Sequence, residues 1–232
     1  MERIAGGTEA GGRYRLSGWL IALIAAEAAL FGCALALSVV AAAHGEPFAG
    51  DLRMTLWLQD IGSWFETVAK AMRVINSTEG VLLIGSLCIV GLWLWGKRWE
   101  PAALTIALVA LAIMQPTLKN IVDRPRPDPT LVDRRAGFES ESFPSGHMMS
   151  GFVLFALLAV VAWGLPLAKP IRVATVALVV ALLVLNGTAS VYLGVHWPTD
   201  IAGGVLWGAV IVLPAAATLL VHGRGKPETD GT

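Results

Sequence analysis

The sequence predicts an all-α polytopic membrane protein: a bundle of six transmembrane helices with an amphipathic helix on its extracytoplasmic surface. The first observation is composition, because 56% of the residues are hydrophobic and only 15% are charged, whereas charged residues make up about a quarter of a soluble domain. The second is a set of six long apolar stretches. The third is a segment between the first two stretches whose apolar residues recur at helical spacing.

The six apolar stretches approach or reach the roughly 20 residues that a membrane-spanning helix requires. They cover residues 16–43, 80–96, 101–118, 145–164, 171–195 and 200–221. The first is longer than the apolar core of a signal peptide, so we expect it to be retained. With 232 residues in all, the spans account for most of the chain, and we expect one membrane-embedded domain over 1–232.

The segment between the first two stretches has two chemically distinct faces. Its apolar positions are Trp57, Ile61, Trp64, Phe65, Val68, Met72 and Ile75, and its polar positions are Asp60, Ser63, Glu66, Lys70 and Arg73. This pattern predicts a helix lying on the outer membrane surface. Such a helix either gates the entry of a lipid or serves as a packed connector.

Short basic groups predict the orientation of the bundle. If six spans alternate, Arg13, Arg15, Lys97, Arg98, Lys169, Arg172, Arg224 and Lys226 all fall on one side. The positive-inside rule assigns that side, with both termini, to the cytoplasm. The loop 120–143 then faces the periplasm or the exterior, and we expect the protein in a bacterial inner (plasma) membrane.

Bulk charge and cysteine content limit the classes of partner. The formal net charge is zero, so the chain has no basic face of the kind that binds nucleic acid. Cys33 and Cys88 both lie in apolar stretches, where cysteine more often packs than forms a disulfide. The lipid bilayer is the predicted environment. The sequence does not indicate whether the protein is a monomer or an oligomer.

Three short polar stretches interrupt the apolar chain, at 119–127, 144–147 and 196–200. No span separates the first from the second, and two spans separate the second from the third. All three are therefore predicted to meet at the same, extracytoplasmic face.

The first polar stretch carries Lys119 and, in a turn bounded by Pro125 and Pro127, Arg126. Arginine presents a planar fork to phosphate oxygens and lysine a compact charge, so the pair suits a tetrahedral anion. The alternative is that both side chains snorkel to lipid headgroups.

The second stretch, Pro144-Ser145-Gly146-His147, opens the fourth span. The first turn of a helix has free amides and a positive dipole end, which together bind anions. Ser145 can cap the helix and contact a phosphate oxygen, Gly146 lets that oxygen approach the backbone, and His147 can donate a proton. A serine nucleophile is the rival interpretation, but Ser145 lacks the Gly-x-Ser-x-Gly context of that chemistry.

In the third stretch, His196 and Asp200 are four residues apart around Pro198. This spacing brings a carboxylate to one imidazole nitrogen and leaves the other as an unprotonated nucleophile. His147, His196 and Asp200 are also ordinary zinc ligands. Because Lys119 and Arg126 would repel a second cation, we expect no metal and no organic cofactor.

Together these segments resemble the signature of the type 2 phosphatidic acid phosphatase superfamily, membrane lipid phosphatases whose site is related to that of vanadium haloperoxidases. The resemblance covers 119–200 and the six-span plan. The first family motif, Lys, six residues, Arg-Pro, matches Lys119 and Arg126-Pro127, and Pro-Ser-Gly-His is matched in full. Of the third motif, Ser-Arg, five residues, His, three residues, Asp, the chain has His196 and Asp200.

The resemblance implies a metal-independent phosphatase that hydrolyses a lipid phosphomonoester or diphosphate through a phosphohistidine intermediate. It assigns phosphate binding to Lys119, Arg126, Ser145 and Gly146. It assigns nucleophilic attack to His196, proton donation to His147 and orientation of the nucleophile to Asp200. Candidate substrates are phosphatidic acid, phosphatidylglycerol phosphate, an isoprenoid diphosphate such as undecaprenyl diphosphate, and a lipid A phosphate; transfer to an acceptor other than water would use the same residues.

One position departs from the family pattern, because Ala189 and Ser190 stand where the third motif has Ser-Arg. We expect another cation of the adjoining loop, Arg124, Arg134 or Arg135, to compensate. The main alternative function is a catalytically weakened protein that binds lipid phosphate. A transporter fits less well, since the polar residues cluster at one face, and haloperoxidases of this kind are expected to be soluble.

Overall fold

In the computed structural model the described part of the chain, residues 9–44, 46–138 and 140–223, with side chains from residue 18 onward, consists of helices joined by turns and loops. The helices are α1 (Glu9–Ala43), α2 (Asp51–Gln59), α3 (Phe65–Ile75), α4 (Thr78–Leu94), α5 (Trp99–Val122), α6 (Gly146–Gly164), α7 (Lys169–Tyr192) and α8 (Pro198–Gly223). The predicted all-α class is confirmed.

Five of these helices, α1, α5, α6, α7 and α8, are long and apolar enough to cross a membrane. A sixth span is completed when α3 and α4 are taken together, with a bend of 58° between them. The predicted second span, 80–96, corresponds to α4, and the bend lies just before it. The bend arises where Ser77 caps α4, its Oγ accepting from the Gly80 amide at 3.0 Å, because a capping side chain starts a new helix there.

The centre of the bundle is the contact between α6 and α8. Met149, Val153 and Leu157 of α6 are buried in one apolar cluster with Trp207 and Ile211 of α8. Close approach requires a small residue on α8, because a Cβ at Gly204 would lie 2.8 Å from the Ser145 carbonyl oxygen. This packing fixes the start of α8 against the start of α6.

The amphipathic segment differs from the single helix predicted for it. It forms two helices, α2 and α3, separated at Gly62, whose φ of +103° favours glycine and breaks the helix. The buried residues of α3 are Phe65, Ala69 and Met72, and Phe65 and Met72 belong to the predicted apolar face. Trp57 and Trp64, assigned to the apolar face by the sequence, are 67% and 69% exposed.

The loop between α5 and α6 folds back over the outer ends of the helices. It begins at Asp123, which ends α5 in the left-handed conformation. The Gln59 side chain of α2 donates hydrogen bonds to the Asp133 carbonyl in the loop and to the Tyr192 carbonyl at the end of α7. The Arg135 amide of the loop donates to the Leu193 carbonyl at 3.0 Å. The loop therefore covers the end of α7, beside which His196 lies.

Candidate active site

Lys119 lies in the last turn of α5 and is only 6% exposed. Its Nζ donates to the backbone carbonyl of Glu141. Its Cε lies 3.6 Å from the point that a Cβ would occupy at Gly146. The first and second polar stretches are thus adjacent, as predicted from span parity.

Arg126 joins the first stretch to the third. Its Nε donates to the Ser140 carbonyl at 2.8 Å, and its guanidinium lies over the Phe138 ring, 4.7 Å from the centroid. One terminal nitrogen contacts the Val195 carbonyl and lies 3.0 Å from His196 Nε2. Burial lowers the pKa of Arg126 to about 10, so the side chain stays cationic at neutral pH.

The Pro-Ser-Gly-His stretch starts α6 as predicted. Ser145 is the N-cap, its Oγ accepting from the Met148 amide at 3.4 Å, and its own amide donates to the Asp200 carbonyl at 3.0 Å. Gly146 lies against the Gln115 side chain, so a Cβ there would collide with the Gln115 amide. His147 is half-buried, and its carbonyl accepts from Asn186 Nδ2 at 3.0 Å.

His196 is 1% exposed and lies between a carboxylate and a guanidinium. Its Nδ1 is 3.6 Å from Asp200 Oδ2, an ion-pair separation slightly longer than a hydrogen bond. The same Arg126 nitrogen lies 3.4 Å from Nδ1 and 3.0 Å from Nε2. Because a guanidinium has donors only and a carboxylate accepts only, the shorter contact at Nε2 and Asp200 at Nδ1 fit an imidazole whose Nε2 carries the lone pair and whose Nδ1 carries the proton. Burial and, after it, the charges of Arg126 and Lys119 lower the pKa of His196 to about 3, against the opposing effect of Asp200.

Asp200 is fully buried and is held by more than His196. Its Oδ2 accepts from Ser142 Oγ and from the Trp197 amide at 2.8 Å. Its Oδ1 accepts from Arg124 at 2.6 Å. The carboxylate is therefore fixed by four groups from two loops, which leaves it one orientation relative to the imidazole.

Arg124 belongs to a buried ionic network that was not predicted. Its second terminal nitrogen lies 3.0 Å from Asp51 Oδ2, and both side chains are 1% exposed. Asp51 also accepts from the Thr199 amide at 3.0 Å and from Thr199 Oγ1 at 2.7 Å. Asp51 and Arg124 are 73 residues apart in the sequence, so no local sequence pattern indicates that they form an ion pair.

The three loop arginines proposed to compensate for Ser190 lie in different environments. Arg124 is held between two carboxylates. Arg134 donates to the Pro127 carbonyl and, with Arg126, lines an open depression of about 550 Å³. Arg135 pairs with Asp133 at 2.9 Å and lies over the Tyr192 ring.

The arrangement is suited to binding an anion beside a neutral imidazole. Lys119, Arg126 and the start of α6 supply positive potential, and a lone pair on His196 Nε2 is available if Arg126 turns from it to the anion. Within the described ranges, no three His, Cys, Asp or Glu side chains are grouped to hold a metal ion.

Sequence comparison identifies the family. Residues 100–224 match the PAP2 superfamily. The chain is 25% identical over 149 residues to phosphatidylglycerophosphatase B of Bacillus subtilis, covering 64% of this chain and 72% of that protein. It is 32% identical over 166 residues to the Escherichia coli protein named "Putative undecaprenyl-diphosphatase YbjG", covering 67% of this chain and 74% of that one.

Two crystal structures share the fold. The transmembrane PAP2-type phosphatidylglycerolphosphate phosphatase of Bacillus subtilis superposes with a TM-score of 0.73 at 22% identity, over 86% of this chain and 98% of that one. Aquifex aeolicus LpxE superposes with a TM-score of 0.59 at 21% identity, over 72% and 95%. The family match spans more than half of the chain and includes all three polar stretches: the protein belongs to the PAP2 superfamily, a family of membrane lipid phosphatases.

Proposed function

We propose that this protein hydrolyses the phosphomonoester or diphosphate of a membrane lipid at the extracytoplasmic face, without a metal, through a phosphohistidine on His196. The observation that carries the proposal is the position of Arg126, 3.0 Å from the Nε2 of a buried His196. A cation next to an unprotonated nitrogen holds a phosphate where that nitrogen can attack it.

In the first step, Lys119, Arg126, Ser145 and the Gly146 amide hold the phosphoryl oxygens. His196 Nε2 forms a bond to phosphorus as the bond from phosphorus to the lipid-side oxygen breaks. His147 gives a proton to that leaving oxygen. The imidazole of His196 becomes positively charged, and Asp200 stabilises this charge through Nδ1–H.

In the second step, water attacks the phosphorus of phosphohistidine, and His147, now neutral, accepts a proton from that water. The bond between nitrogen and phosphorus breaks, so inorganic phosphate leaves and His196 is again neutral. His147 returns to its protonated form at the same time, ready for the next cycle. No electron acceptor or further reactant is needed.

An apolar cavity beside the site supports a lipid substrate. Its volume is about 630 Å³, and it lies between α2, α6, α7 and α8. Met148 and Pro198 line it, and each is within two residues of a proposed catalytic histidine. An amphiphile could therefore place its phosphate at His196 while its chain occupies the cavity.

The relatives' names supply two substrates for the test, phosphatidylglycerol phosphate and undecaprenyl diphosphate, and the resemblance to the family supplies two more. Purified protein in nanodiscs, with EDTA present, is given phosphatidic acid, phosphatidylglycerol phosphate, undecaprenyl diphosphate or a lipid A phosphate, and released phosphate is measured. We expect release by the wild type and none by His196→Ala. A phosphorylated His196 trapped by rapid acid quench would identify the intermediate.

Ser190, in place of the third-motif arginine, favours a second candidate function, binding of a lipid phosphate without turnover. The same panel separates the two. Lipids that bind the wild type but release no phosphate would establish the binding protein, and release that EDTA abolishes would disprove the metal-independent mechanism.

A further inference from the structure

The position of Ser190 leaves the phosphate site one cation short of the family pattern. Ser190 is 7% exposed, and its Oγ donates to the Asn186 carbonyl one turn earlier, at 3.0 Å. The hydroxyl is thus satisfied within α7 and supplies no charge to the site.

The helix packed over this part of α7 is α3. Ala69 and Met72 of α3 share a buried cluster with Ala189 and Leu193 of α7, the residues on either side of Ser190 in sequence. Arg73 follows Met72 and lies one turn after Ala69. An arginine of α3 therefore emerges at the edge of the interface that covers the vacant position.

The guanidinium of Arg73 reaches the loop that carries Arg126. It donates to the Gly137 carbonyl at 2.7 Å, and the next residue, Phe138, is the ring beneath the Arg126 guanidinium. The charge of Arg73 contributes, after burial, to the lowered pKa of Arg126. The two guanidiniums thus approach the same short stretch of loop.

Arg73 also has donors to spare. Among the side chains that the structure describes, no carboxylate forms an ion pair with it, and its one hydrogen bond uses one of five N–H groups. Arg124 is neutralised by Asp51 and Asp200, and Arg135 by Asp133. Arg134 shares with Arg126 the open depression and the Phe138 ring, but it belongs to the loop and not to a helix packed over Ser190.

We propose that Arg73 is the third phosphate-binding cation of this site, taking from α3 the place that Ser190 leaves empty on α7. The proposal rests on the phosphatase function given above and adds a residue to it.

The test measures the affinity of purified protein for inorganic phosphate, together with kcat/KM on whichever lipid of the panel turns over fastest. The variants are Arg73→Ala, Arg134→Ala, the double variant Arg73→Ala/Ser190→Arg, and the control Lys70→Ala, whose side chain is exposed on the same helix and pairs with Glu66. We expect Arg73→Ala to weaken phosphate binding and kcat/KM by about tenfold to a hundredfold, as for one charge-assisted contact. Ser190→Arg should restore at least about tenfold of that loss, because it returns the charge to the same anion.

Four results would overturn the proposal. They are wild-type phosphate affinity in Arg73→Ala, an equal loss in Lys70→Ala, a loss in Arg134→Ala alone, and no recovery by Ser190→Arg in a double variant that keeps the melting temperature of Arg73→Ala. Phosphate affinity is independent of turnover. A wild type that binds phosphate through Arg73 but hydrolyses no lipid would disprove the phosphatase and leave the cation assignment standing.

Discussion

The chemistry proposed for His196 depends on which of its nitrogens carries the proton. Arg126 contacts Nε2 at 3.0 Å and Asp200 faces Nδ1 at 3.6 Å. The same Arg126 nitrogen is also 3.4 Å from Nδ1, so the carboxylate at Nδ1 is the group that favours the tautomer with its proton there. Asp200 is itself fixed by Arg124, Ser142 and the Trp197 amide, so the fold holds this carboxylate in place before any substrate arrives.

We expect Asp200→Asn to lower kcat by about a hundredfold or more with a smaller change in KM, because the charge it removes stabilises a positive imidazole that exists only during the reaction. Steady-state kinetics on the best lipid substrate measure both constants. Ser142→Ala is the matched control, since it removes a hydrogen bond to the same carboxylate and keeps the charge. Equal kcat in Asp200→Asn and wild type would refute the role assigned to Asp200.

The low pKa of His196 predicts a pH dependence of stability. The folded pKa is about 3 because of burial and then the nearby cations, whereas an unfolded histidine titrates near 6.5. Between these values the unfolded state binds the extra proton, so stability falls as pH falls, by up to about 1.4 kcal/mol per pH unit. Melting curves in detergent from pH 7 to 4 should fall less steeply for His196→Asn; parallel curves for the two proteins would contradict the assignment.

Among the secondary-structure elements, the short helix α2 connects two other parts of the structure. Through Asp51 it binds Thr199 at the start of α8 and Arg124 in the loop after α5. A buried ionic network of this kind contributes little net stability as a whole, but removing one partner leaves an uncompensated charge. The network therefore holds α2, the loop and the third motif in one register.

We expect Arg124→Ala to destabilise the protein by about 3–5 kcal/mol, since Asp51 and Asp200 are then left buried without their counter-ion. Asp51→Asn alone should lower the free energy of unfolding by less than Arg124→Ala does. The double variant should lose less than the sum of the two single losses, which gives a coupling energy of about 1 kcal/mol or more in a double-mutant cycle. Unfolding of each variant in detergent measures these free energies. Asp60→Asn, at the other end of α2, is the control, and additivity of Asp51→Asn and Arg124→Ala would disprove the network.

The cavity between α2, α7 and α8 makes a separate prediction. Val184→Trp would fill part of its wall and should lower kcat/KM about tenfold for a long-chain lipid phosphate, with little effect on a water-soluble phosphate ester. Leu178→Trp is the matched control, because Leu178 is 59% exposed on the same helix and does not line the cavity. A similar loss on both substrates, or in both variants, would show that the cavity does not hold the lipid chain.

At the scale of the whole molecule, the proposed orientation places the loop over 124–142 outside and the α4–α5 turn inside. Exposed tryptophans at Trp93, Trp95 and Trp99 accompany that turn, as at a membrane interface. The active site, which lies under the loop, would then open to the periplasm or exterior.

Cysteine labelling tests this orientation. In a background with Cys33 and Cys88 replaced by alanine, Thr130→Cys lies in the long loop and Arg98→Cys in the α4–α5 turn, both at exposed positions. We expect an impermeant maleimide applied to intact spheroplasts to label Thr130→Cys, and to label Arg98→Cys only after permeabilisation. The reverse pattern would turn the bundle over and place the site in the cytoplasm.

Much of the bundle could be predicted because membrane spans leave a local signal. The predicted stretches at α5, α6, α7 and α8 lie within about four residues of the observed helix ends, whereas α1 begins at Glu9, before the predicted start at residue 16. The amphipathic segment is less predictable, since one glycine, Gly62, divides it into two helices. Span parity placed the three polar stretches at one end, and Arg126 does contact His196.

The sequence by itself determined that the protein lies in a lipid bilayer, which class of fold it has and which groups are available to react. Hydropathy and motif spacing carry this information because they are properties of neighbouring residues. Only the tertiary structure decided how those groups are held. Arg124 of the loop after α5 is buried between Asp51 of α2 and Asp200 of α8. Arg73 of α3 reaches the same loop at Gly137. Such contacts follow from how helices pack around the α6–α8 centre, and no pattern within a single segment records them.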